Sequence, residues 1–150
     1  MTPKTITAVA LAGLLSIAAA ASSLADAPLS AADAVAARQA AMKADGKVLR
    51  GADSFTGDQA IAALKAVQDN YTKLPGLFPQ DSITDKSIAL PIIWSEFDKF
   101  SAIFKSGAAT AADGIAAAKA GDMAKYKADV EAIAQTCNTC HATYRQKLNG

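Results

Sequence analysis

No segment of the sequence alternates apolar and polar side chains with period two for long enough to form a strand, so sheet-based folds are excluded. An excess of one charge sign is also missing. Fifteen lysines and arginines stand against fourteen aspartates and glutamates, for a formal net charge of +1. A nucleic-acid partner would need a basic stripe, and none is present. Cysteine and histidine are scarce, at two and one. That leaves no disulfide framework, and a zinc site would lack its fourth ligand. No repeat or low-complexity tract divides the chain. No set of catalytic acid, base and nucleophile is recognisable, which argues against an enzyme.

Long hydrophobic runs are limited to one, from Ala8 to Ala21, interrupted by Gly13 and Ser16. Met1 to Lys4 precede it as a short positive end, and Ser23-Leu24-Ala25 follows with small residues at the minus-three and minus-one positions. This pattern predicts a secretory signal peptide over residues 1–25, cut after Ala25. A membrane anchor is the alternative, but the run is short and rich in alanine. A cut after Ala27 would leave Pro28 at the new terminus. The mature chain would be residues 26–150, a single domain with one modest core and no membrane span. Loss of Lys4 leaves fourteen side chains of each sign.

Four amphipathic helical stretches follow. Ser30-Ala31-Ala32-Asp33 resembles a capping box with Asp in place of Glu. Beyond it Val35, Arg38, Gln39, Met42 and Leu49 share roughly one face. Arg50 to Gly57 breaks the pattern. A second helix is predicted from about Asp58 to Lys73, with Ile61, Leu64, Val67, Gln68 and Tyr71 on its apolar face. Pro75, Gly76 and Pro79 stop it, and a loop extends to about Leu90. Pro91 suits the first turn of a third helix, predicted to run to about Lys119 through Trp94, Phe97, Phe100, Ile103 and Phe104. Gly121-Asp122 reads as a stop followed by an N-cap. The last helix is predicted from Met123 to about Lys147. The fold class is therefore all-α, an antiparallel four-helix bundle.

Both cysteines and the histidine fall in five residues of the last helix, Cys137-Asn138-Thr139-Cys140-His141. This is the spacing of a covalent c-type haem site: two thiols add to the vinyl groups, and the next residue offers iron an axial imidazole. Val130, Ile133, Ala134, Cys137, Cys140, His141, Tyr144 and Leu148 lie on one broad face, so haem is expected inside one end of the bundle. An export signal agrees with covalent attachment outside the cytoplasm.

The C-terminal Cys-x-x-Cys-His-x-x-Tyr-Arg, from Cys137 to Arg145, resembles the cytochrome c′ family. Ala34-Val35 with Arg38-Gln39 and the Pro91 to Trp94 helix start resemble it too, so the likeness spans the mature chain. The resemblance implies a periplasmic protein with one covalent haem c and its iron. It implies that Arg38 and Gln39 lie at the haem edge, where a guanidinium can pair with a propionate, and that Arg145 lies near the proximal face. Without the family, Arg38 would read as a solvated helix charge, and Arg145 as a cation favoured near a helix C-terminus.

The same resemblance sets Met42 at the distal position. An apolar residue there leaves five-coordinate iron that binds nitric oxide or carbon monoxide. A methionine can instead ligate, and Met/His ligation suits electron transfer. Packing is the competing role for Met42. Met123 is a weaker ligand candidate, and Trp94, Phe97, Phe100 and Tyr144 are core aromatics that could also pack on haem. The expected function is one-electron transfer with redox partner proteins through iron held by His141 and Met42. Gas binding is the alternative, and a thiol–disulfide oxidoreductase using Cys137 and Cys140 a remote one. The resemblance also implies a possible homodimer through the first two helices.

Overall fold

A computed structural model describes residues 29–147. The expected signal peptide and Leu148 lie outside the described residues. Helix α1 spans Ala31–Ala52, α2 Gly57–Lys73, α3 Ile92–Ser95, α4 Phe97–Ala120 and α5 Met123–Tyr144. A 3-10 turn over Leu74–Leu77 follows α2. The four long helices form the antiparallel bundle, with α4 packed between α2 and α5 and α1 against α2. The short α3 is an added turn at the entrance to α4. No helix among the described residues is long and apolar enough to cross a membrane.

The helix starts follow local chemistry. Ser30 Oγ accepts from the Asp33 amide at 3.1 Å and donates to the Asp33 carboxylate at 2.6 Å, which satisfies a free donor of the first turn. Asp122 Oδ1 caps α5 through the Lys125 amide at 3.0 Å. Gly121, at φ +76°, ends α4 in the left-handed conformation that glycine adopts without a steric cost.

Three boundaries differ from the sequence expectation. Helix α1 continues through Arg50 and Gly51 to Ala52. Tertiary capture explains this: Ala52 is fully buried, and its carbonyl accepts from the Tyr126 hydroxyl of α5 at 2.9 Å. The third helix is split at Glu96, whose φ of −122° and ψ of 33° leave the helical region. The last helix stops at Tyr144 rather than Lys147. Arg145 is extended, and the loop takes over its neighbours' backbone groups: Leu90 N donates to Tyr144 O at 2.9 Å and Gln146 N to Ile88 O at 2.8 Å.

Gly107 and Gly114 do not interrupt α4, because both let α2 approach closely. A Cβ on Gly107 would stand 2.4 Å from the Tyr71 ring, and one on Gly114 2.4 Å from Leu64 Cδ1. Leu64, Val67, Ile93, Ile133 and Tyr126 fill the core, each aliphatic side chain contributing about 1.5–3 kcal/mol by leaving water. Edge-on aromatic contacts run along the bundle, Tyr71 to Phe104 at 5.6 Å, Phe104 to Phe100 at 5.2 Å, and Phe100 to Tyr144 at 5.3 Å.

Candidate functional site

The last turns of α5 carry Cys137, Cys140, His141 and Tyr144. Cys140, His141 and Tyr144 open onto a cleft of about 280 Å³. Helix α1 supplies Arg38, Gln39, Met42 and Lys43 to the same cleft, the loop supplies Phe78, Ser87, Ile88 and Ala89, and Ile93, Phe100 and Arg145 complete it. Five of the six expected site residues therefore meet. Cys137 does not line the cleft; it is half-buried beside it, with Sγ 3.8 Å from the Tyr71 hydroxyl. That hydroxyl is held at 3.0 Å by Thr136 Oγ1, which itself donates to Ile133 O.

The electrostatics suit ligation rather than thiol chemistry. Burial, with a smaller contribution from Arg145, lowers the His141 pKa, which favours the neutral imidazole that metals bind. Burial and then Cys137 push the Cys140 thiol up to about 11. A redox-active cysteine needs the opposite shift, and the C-terminal end of a helix disfavours a thiolate.

Arg38 is 3% exposed, so it is not a solvated helix charge. Its Nη1 donates to Leu77 O at 3.2 Å and Ser82 Oγ at 2.8 Å, and its Nη2 to Ser82 O at 2.7 Å and Ser87 Oγ at 2.9 Å. Its guanidinium also lies 4.4 Å from the Phe78 ring centroid. The charge expected to be free for a propionate instead fastens the loop that walls the cleft. Exposed Gln39 assists, donating to Lys86 O at 2.9 Å. Trp94 does not reach the cleft; its indole donates to Phe78 O and Pro79 O at 3.2 and 3.0 Å. Phe97 is 36% exposed, whereas Phe100 and Tyr144 serve core and cleft together. Met123 packs on the core away from the cleft.

The residues present fit a covalent haem. The walls are largely aliphatic and aromatic, a neutral imidazole enters from α5, and a thioether from α1. Among the described residues no three His, Cys, Asp or Glu side chains are arranged to hold a metal ion. One imidazole with one thioether is a donor set for iron whose other four ligands come from a macrocycle. The buried Nε of Arg145 has no hydrogen-bond partner, and with Lys43 it offers positive charge to an anionic group at the rim.

Sequence reasoning missed the loop residues and Lys43. It also missed Asp45, which is 4% exposed on α1. One Asp45 oxygen accepts from Asn70 Nδ2 at 2.7 Å, and the other has no partner. Burial pushes its pKa from 3.8 up to about 6, and Asn70 opposes this only in part. The folded state thus holds this proton more tightly than the unfolded chain. Its stabilising contribution is complete below about pH 4 and is lost as pH rises through about 6. Asp45→Asn should therefore be more stable than the parent by about 1–2 kcal/mol at pH 7.5, after discounting for residual solvation. The gain should vanish near pH 4, as paired urea titrations would show.

A family model described as Cytochrome C' matches residues 30–145. The chain is 37% identical over 127 residues to a cytochrome c′ of Rhodopseudomonas palustris, covering 77% of this chain and 83% of that protein. It is 35% identical over 101 residues to a cytochrome c-556 of Agrobacterium tumefaciens, covering 67% and 80%. A solved cytochrome c′ structure from Rhodopseudomonas palustris superposes with a TM-score of 0.68 at 33% identity, covering 78% of this chain and 98% of that one.

Proposed function

The chain belongs to the cytochrome c′ family, monohaem c-type cytochromes with one covalent haem c and its iron, and from that membership we propose that it is an exported, periplasmic one-electron carrier with methionine-ligated iron. In this reading Cys137 and Cys140 form the two thioether bonds, His141 is the proximal ligand and Met42 the distal one. The observation that carries it is that Met42 and His141 line one cleft from two different helices, α1 and α5.

The haem, when bound, supplies the Fe(III)/Fe(II) couple. His141 presents a neutral imidazole on a rigid helix. Met42 would offer the iron a soft thioether donor, which raises the potential. Ile93, Phe100 and Tyr144 exclude water from the centre. Arg38 and Gln39 hold the wall segment in place from α1, and Arg145 and Lys43 would pair with the propionates. Signal-peptide removal after Ala25, export, an unidentified redox partner and pairing of two copies through α1 and α2 belong to the same proposal.

A gas-binding protein is the second reading, favoured by one observation: half-buried Met42 also packs on the core, as a filler would. A colour test checks the shared premise. Protein produced with a haem-attachment system should be red and keep its colour through acid acetone; colourless mature protein would sink both readings. The reduced spectrum separates them, a sharp α band marking six-coordinate low-spin iron and a broad one the gas-binding form.

A further inference from the structure

We propose that Asp45 is a redox-linked proton site, taking up one proton when the iron is reduced and releasing it when the iron is oxidised. The inference rests on the reading of the cleft as a one-electron haem centre. A buried carboxylate is costly unless a cation or a full set of donors satisfies it. Asp45 has neither. One oxygen is hydrogen-bonded to Asn70, the other is unpartnered, and no lysine or arginine pairs with it among the described residues.

Its place in the fold ties it to the cleft. Asp45 follows Met42 by three residues and Arg38 by seven, which puts all three on one face of α1. From α2 it is faced by Asn70 and by the Tyr71 hydroxyl, whose own titration it opposes. Beyond Tyr71 stands Cys137 of α5. Helix α4 packs Phe104 and Gly107 against the Tyr71 ring, and its charged Asp98 and Lys105 share a second cleft with Tyr71. The charged Arg38 lies two turns away with both Nη atoms bound to the 77–87 segment. No ion pair neutralises Asp45 among the described residues, so a change of charge at an iron held in the cleft would act on an uncompensated carboxyl one turn from Met42.

The step balances. Reduction adds one electron from the donor protein and removes one positive charge from the centre. The proton affinity of Asp45 then rises, and one proton from water adds to a carboxylate oxygen; oxidation reverses both transfers. Burial has already lifted this carboxyl to about 6, within reach of ordinary working pH.

The test is the midpoint potential of the full haem-loaded protein from pH 4.5 to 8, in the parent and in Asp45→Asn. Reduced-minus-oxidised infrared spectra of the parent are recorded alongside. The parent potential should fall as pH rises, by up to about 59 mV for each tenfold change in proton concentration. Asp45→Asn should remove that segment of the slope. In the parent, a protonated-carboxyl band should appear on reduction. A slope that survives the substitution assigns the proton to another group, such as a propionate, and overturns the proposal. A parent spectrum with no carboxyl band overturns it even if the variant fails to fold. The α band recorded in the same cell reports the Met42 ligand separately, so the two readings fail independently.

Discussion

Met42→Leu is expected to turn a sharp low-spin α band into a broad one, lower the reduction potential, and open the iron to carbon monoxide. The volume of the side chain is nearly conserved, so the fold should lose less than about 1.5 kcal/mol. The chemistry changes far more, because leucine has no donor atom. With Met42 as the ligand, as proposed, carbon monoxide would first have to displace its sulfur in the parent. If that bond is worth even about 1.4 kcal/mol, the variant should bind at least about tenfold more tightly. The decisive feature is the contrast between a small stability change and a complete spectral change. If Met42 only fills space, as half-buried packing residues do, the spectrum will not move, and the gas-binding reading replaces the electron carrier. Absorption spectra of reduced parent and variant, with and without carbon monoxide, decide it.

Arg38→Met is expected to destabilise the protein by about 3–5 kcal/mol. The substitution keeps an unbranched apolar stem but removes four donors. It leaves Ser82 Oγ, Ser82 O, Ser87 Oγ and Leu77 O without the donor each now has, at about 1–3 kcal/mol for each acceptor that water cannot reach. The contact with Phe78 at 4.4 Å goes as well. A domain of this size has about 5–15 kcal/mol in total, so the loss is a large share. It should concentrate in the wall segment: amide exchange at residues 82–90 should quicken more than in α2 or α4. Arg38→Lys should recover only part of the loss, because a single ammonium cannot span both ends of a forked donor set. A variant within 1 kcal/mol of the parent by urea titration would show that the loop is held by other contacts, such as the Trp94 indole bonds to Phe78 O and Pro79 O.

Much of the fold could be read from short-range pattern. Ser30 with Asp33, Gly121 with Asp122, and the Pro75 stop are local events, and each stands where its chemistry requires. The structure departs from that local pattern where distant parts of the chain intervene. Gly51 stays helical because Tyr126, 74 residues beyond Ala52, takes the last carbonyl of that turn. Arg145 leaves the helix because the strip 88–90 pairs with its neighbours. Gly107 and Gly114, which weaken a helix taken alone, lie inside α4 as the sequence reading expected, and the structure adds the reason: Tyr71 and Leu64 need their space.

The site divides in the same way. The sequence by itself determined the chemistry that one helix turn can carry: two thiols and an imidazole at fixed spacing on α5, and a thioether one turn after an arginine on α1. It also determined that these helices have apolar faces that must be buried together. Only the tertiary structure decided what each polar group meets. Arg38 finds its partners 39 to 49 residues away, at the end of the 3-10 turn and in the loop that follows it, and Asp45 becomes an unpaired buried carboxyl because α2 brings Asn70 and no cation. Periodicity and motif spacing are set within a few residues of backbone. Burial and hydrogen-bond partners are set by which helices and loops pack together, and that depends on the whole chain at once.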